Sequence, residues 1–91
     1  MGVKEKVKEQ VATADKVVLN NQIIVYNDDV NTFDHVIETL MRVCNHIPEQ
    51  AEQCSLIIHY VGKCTVKTGK MKELLPQCSS LLEAGLSAEI I

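Results

Sequence analysis

VVLNNQIIVYNDD, residues 17–29, is an apolar, β-branched run that stops abruptly at a carboxamide and two carboxylates. Its composition predicts a strand, regular from Ile23 to Tyr26 and less so through 17–19, with the Asn20-Asn21 pair inviting a bulge or turn. The closing Asn27-Asp28-Asp29 is a turn signal, because short polar side chains bond nearby backbone and end extended pairing. A helix follows. Phe33, Val36, Ile37, Leu40, Met41, Val43 and Cys44 recur at the 3.6-residue period, which predicts a helix over 32–46 with one broad apolar face. Asn31 or Thr32 suits its N-cap, and Asp34 complements the helix dipole in the first turn. Asn45 and His46 suit its end, and His35 and His46 read as surface or helix-end histidines.

Pro48 opens a second helix, since its missing N–H is no loss at the first helical position. That helix runs to about His59, with Ala51, Cys54, Ile57 and Ile58 inward. Gly62 breaks the pattern. Residues 63–67 then alternate, Cys64 and Val66 to one side, as a half-buried strand does. Thr68 is the expected cap of a third helix carrying Met71, Leu74, Leu75, Cys78, Leu81 and Leu82 at helical spacing. Pro76 within it predicts a kink or a split, and Gly85 fits the C′ position that ends it. Residues 86–91 read as a last strand. Three short strands cannot bury themselves. The order β-α-α-β-α-β therefore predicts an α+β fold, a small three-stranded antiparallel sheet with three helices packed on one face.

The chain has 91 residues, room for one domain. Residues 1–16 alternate Lys, Glu, Gln and Val and are expected to form a flexible arm, leaving 17–91 as the folded unit. With 46 % apolar residues and no Trp, aliphatic packing must supply most of the stability. A net charge of −3 with interspersed signs argues against a nucleic-acid partner. No apolar run approaches the ~18–20 residues that cross a bilayer, and the N-terminus lacks a signal-peptide core. The expectation is a cytoplasmic protein with no membrane partner. Cys44, Cys54, Cys64 and Cys78 stand 10, 10 and 14 positions apart, without the close pairs on which structural zinc sites are built. They read as small buried side chains, with no metal or other cofactor expected.

A second polar signature, His59-Tyr60-Val61-Gly62-Lys63, lies where the second helix gives way to the second strand. Together with Asn27-Asp28-Asp29 it offers two carboxylates, a carboxamide and an imidazole, an acceptor set suited to a cation. No nucleophile is paired with a base and no phosphate loop is present, so the reading is a non-enzymatic binding site. Two other readings compete with it. Asp28, Asp29 and His59 form a conceivable acid/base set, although so short a chain has little room for a substrate cleft. Alternatively, the acidic turn merely caps its helix in a structural protein-interaction module.

With VYNDD, the Pro-opened helix, HYVGK and a C-terminal strand in this order, residues 17–91 resemble the ClpS family, adaptors that deliver substrates to Clp-type AAA+ proteases. The resemblance implies recognition of a destabilising N-terminal residue, usually Phe, Leu, Tyr or Trp, and docking on the N-terminal domain of a Clp ATPase. It implies that Asn27, Asp29 and His59 hold the α-amino group, that Asp28 meets the peptide backbone at the rim, and that the adaptor acts as a monomer. By the same matching, Val25, Asn31, Phe33, Val36, Ser55, Ile58 and Leu86 wall the pocket for the first side chain. Many relatives carry Met at the positions of Phe33 and Ser55, so a rigid ring and a small hydroxyl replace flexible thioethers here. Without N-terminal recognition, the structural-module reading stands as the alternative.

Overall fold

The strand-then-helix reading is met over residues 21–44. The computed structural model describes residues 20–91. The expected arm (residues 1–16) and the irregular lead-in (residues 17–19) lie outside the described residues. Among these, six elements follow one another: β1 (Asn21–Tyr26), α1 (Phe33–Cys44), α2 (Pro48–Val61), β2 (Lys63–Gly69), α3 (Met71–Glu83) and β3 (Ser87–Ile90). The sheet has the order β2-β1-β3, with β1 central and antiparallel to both neighbours. This is the expected α+β arrangement.

The core sits between sheet and helices. Ile23 and Val25 point into it from β1 and meet Leu40 and Cys44 of α1, Ala51 and Ile58 of α2, and Leu74 and Leu81 of α3. α1 packs on α2 and α3, while α2 lies over β2 and α3 over β3 and β1. Cys44, Cys54 and Cys78 are buried as expected, and Cys64 is half-buried. Burial pushes the Cys44 thiol up to about 11 and, with the neighbouring Cys64, the Cys54 thiol up to about 12. Among the described residues no cluster of His, Cys, Asp and Glu could hold a metal, and no helix is long and apolar enough to cross a membrane.

The structure corrects several local expectations. The irregularity of the first strand lies not at Asn20-Asn21 but in its partner. Ile23 pairs with Lys67 and Ile24 with Thr65, leaving Val66 as an extra residue, a β-bulge on β2. The carbonyl of that residue accepts from Nε2–H of His46 at 2.7 Å. His46 is therefore not a surface histidine; it is 5 % exposed just beyond α1, where Asn45 takes the left-handed conformation. The adjacent Lys67 donates to the last carbonyl of α1, that of Cys44, at 3.3 Å. These two contacts fasten the bulge to the end of α1.

Thr68 does not cap the third helix. It lies within β2, which runs two residues further than alternation indicated, and Lys70 occupies the cap position with no side-chain bond. Pro76 does not split α3, which remains one element. Gly85 does end it, at φ +94°, as the C′ residue of a Schellman motif: Gly85 donates to the Leu82 carbonyl and Leu86 to that of Leu81, each at 3.0 Å. Leu86, expected in the last strand, is instead the buried apolar anchor of this motif. β3 begins one residue later.

Candidate functional site

The two polar signatures meet because β1 and β2 are neighbours. Tyr26 pairs with Lys63, and one further rung joins them, the Asn27 N–H to the Gly62 carbonyl at 2.9 Å. Gly62, at φ +109°, ends α2 by donating to the Ile58 carbonyl and turns the chain into β2. Asn27 is thus held beside the last turn of α2, which carries His59.

The loop from Asn27 to α1 is organised by Asp28. Its carboxylate accepts the N–H of Val30 and of Asn31, each at 3.0 Å, and the Asn31 carboxamide Nδ2 at 2.8 Å. The Asn31 N–H is the main reason the Asp28 carboxyl is held below the usual carboxylate range, with the Val30 N–H adding to it against partial desolvation. Nδ2 of Asn31 has a second hydrogen, which goes to the Gly85 carbonyl at 2.9 Å. The same turn after α3 receives His35, whose Nε2 donates to the Ala84 carbonyl at 2.8 Å. His35 is half-buried, a tie between α1 and α3 that helical periodicity does not reveal. Thr32 is the N-cap of α1, accepting the His35 N–H at 3.1 Å.

Two abutting recesses open beside this loop. One, of about 260 Å³, is lined by Asn27, Asn31, Thr32, Phe33, Val36, Ser55, Ile58 and His59. The other, of about 230 Å³, is lined by Val25, Tyr26, Asn27, Asp28, Asn31, Val36, Ile58 and Leu86. They share Asn27, Asn31, Val36 and Ile58. Each is small, on the scale of a single side chain. At the rim the rings of Phe33 and His59 lie 5.2 Å apart, centre to centre, tilted by 52°. Phe33 is 41 % exposed, so it belongs to the mouth and not to the core. Tyr60 meets the other side of His59 edge-on at 4.8 Å.

The seven residues matched to pocket walls thus line one recess or the other, and Asn27 and His59 share the first. Asp29 lines neither; it is exposed and makes no side-chain hydrogen bond among the described residues. Asp28, matched to the rim, spends its carboxylate on the loop itself. Thr32 and Tyr26 are wall residues that sequence matching did not single out. Ser55 is 3 % exposed, and its hydroxyl has no hydrogen-bond partner among the described residues.

Comparisons with known proteins agree with this architecture. The family described as ATP-dependent Clp protease adaptor protein ClpS matches residues 16–89. The ATP-dependent Clp protease adapter protein ClpS of Thermosynechococcus vestitus is 36 % identical over 69 residues, 75 % of this chain and 73 % of its own. That of a Nostoc species is 34 % identical over 79 residues, 82 % of this chain and 78 % of its own. The solved structure of Agrobacterium tumefaciens ClpS2 bound to L-phenylalaninamide superposes with a TM-score of 0.72, covering 79 % of this chain and 94 % of that one at 17 % identity. At that identity the likeness bears on the fold. The family match and the identity to the curated relatives bear on descent, and by them this chain belongs to the ClpS family of Clp protease adaptors.

Proposed function

We propose that this adaptor binds the free N-terminus of a polypeptide, taking its first side chain into the paired recesses, and delivers that polypeptide to a Clp ATPase through the ATPase's N-terminal domain. The observation that carries the reading is the position of Asn27 and His59 on the wall of a recess whose other surfaces, Phe33, Val36 and Ile58, are apolar. An α-amino group has three donors and a positive charge, and the side chain beside it is apolar in destabilising N-termini. A carboxamide oxygen and a neutral imidazole nitrogen accept two of those hydrogens. Asp29, exposed two residues beyond Asn27 in the chain, supplies the compensating charge as the peptide closes over it. L-phenylalaninamide, the ligand of the A. tumefaciens neighbour, has this chemistry: a free amino group, an aromatic side chain and no carboxylate.

The structural-module reading draws on Asp28, whose carboxylate is fully engaged in its own turn. The two readings diverge at Asp29, which has no side-chain bond to lose among the described residues. The test is fluorescence anisotropy with a Phe-starting peptide and its N-acetylated form. Acetylation removes the charge and leaves the acceptors facing an amide, so binding is expected to disappear. Equal affinity for the two peptides would return the site to a helix-capping turn.

A further inference from the structure

We propose that Ser55 makes the recess prefer a first residue with an apolar body and a terminal hydroxyl, so that tyrosine is bound ahead of phenylalanine; this rests on the N-terminal recognition proposed above. Ser55 is in the middle of α2, one helical turn before Ile58 and His59, and all three line the first recess. Residues three and four apart share a helix face, so Ser55 is on the face that α2 turns toward the ligand. The residue is 3 % exposed, yet its hydroxyl neither accepts nor donates among the described residues. In particular it does not bond back to the carbonyl of the preceding turn, the usual resort of a helical serine.

A buried hydroxyl without a partner is unfavourable, and a ligand that supplies the partner recovers that loss on binding. The rest of the recess narrows the choice. Phe33, Val36 and Ile58 require an apolar body, and among the described residues no carboxylate, ammonium or guanidinium lines this recess to pair with a charged tip. Serine or threonine at the first position would leave most of the apolar wall uncovered. Tyrosine presents an apolar ring and one group that both donates and accepts, which matches a hydroxyl whose own rotor is free to do either.

The experiment compares peptides identical except for Tyr or Phe at the first position, each free and N-acetylated, against the parent and Ser55→Ala. In the parent the free Tyr peptide is expected to bind roughly threefold to tenfold tighter than the Phe peptide (~0.7–1.4 kcal/mol). In Ser55→Ala the ratio should fall to about one. The variant removes an unpaired hydroxyl and introduces the best helix former, so folding is not at risk. A ratio of one in the parent, or a Tyr preference that survives in Ser55→Ala, overturns the assignment. If both free peptides bind equally and acetylation abolishes both, N-terminal recognition stands and only the role of Ser55 falls. If acetylation changes nothing, the two fall together.

Discussion

Asp28 and Asp29 are adjacent carboxylates in one turn, and the structure separates their roles well enough to predict opposite outcomes. Replacing Asp28 by Ala removes three hydrogen bonds, from the Val30 and Asn31 N–H groups and from Asn31 Nδ2. Each is worth ~0.5–1.5 kcal/mol net, and the outer position of the loop favours the lower half of that range. The sum is a loss of about 1.5–2.5 kcal/mol, which in a domain of this size lowers Tm by roughly 10 °C. Asp29→Ala removes no bond among the described residues, so its stability should stay within ~0.5 kcal/mol of the parent. Its affinity for a free N-terminus should fall sharply. The assay is thermal unfolding beside anisotropy for both variants. The pH dependence gives an independent check. The folded Asp28 carboxyl titrates below its unfolded value, so its contribution is complete above the unfolded pKa of ~3.9 and is lost as pH falls through the folded one. The Tm difference between parent and Asp28→Ala should therefore be full at neutral pH and shrink below ~pH 4. An Asp28→Ala protein as stable as the parent would refute the account of how this loop is held.

Four further outcomes follow from the geometry. Phe33 stands at the mouth against His59, so peptides starting with β-branched Ile or Val should bind about tenfold worse than Leu, ~1.4 kcal/mol. Phe33→Ala should narrow that gap in the same anisotropy assay. His59→Ala removes an acceptor from the wall of the first recess, so its affinity for a free N-terminus should fall in the same assay while its affinity for an acetylated one does not. Burial raises the thiols of Cys44 and Cys54, so at neutral pH a thiol-reactive dye should label half-buried Cys64 first and these two only on unfolding. Gly85→Ala meets no close atom, the nearest being Asn31 Oδ1 at 3.7 Å, and its cost is that of a left-handed alanine, ~1–2 kcal/mol by denaturant titration.

The elements legible in the sequence were those whose burial follows a single period. Leu40, Cys44, Ala51, Ile58, Leu74 and Leu81 repeat at helical spacing and do form the core, and the sheet follows from the alternation of Cys64 and Val66 and the run of β1. Where a residue is buried for a polar reason, periodicity is silent. His46 is enclosed because a bulge frees the Val66 carbonyl, and neither event leaves a mark on apolar spacing. Thr68 looked like a cap because Thr suits that position. Ladder pairing with Gln22 kept it in β2, and α3 starts without a side-chain cap. At the candidate site, family matching named the wall residues, since motif positions transfer with the fold. It gave Asp28 to the peptide rim and did not foresee that its carboxylate is engaged within the loop, because that hydrogen bonding depends on turn geometry.

The frame around the recesses is tied at three points: Asn27 N–H to Gly62, Asn31 Nδ2 to Gly85, and His35 Nε2 to Ala84. In each, the acceptor is a main-chain carbonyl. A carbonyl cannot be mutated away, so drift at Ala84 leaves that anchor in place, and at the two glycines only the need for positive φ restricts what is tolerated. The donors are few and lie on one short stretch. Phe33 and Ser55, which on the proposed function shape what enters, take no part in the ties. Ligand preference in this adaptor can therefore be retuned at the recess, by natural variation or in a library, while the scaffold that presents it stays as it is.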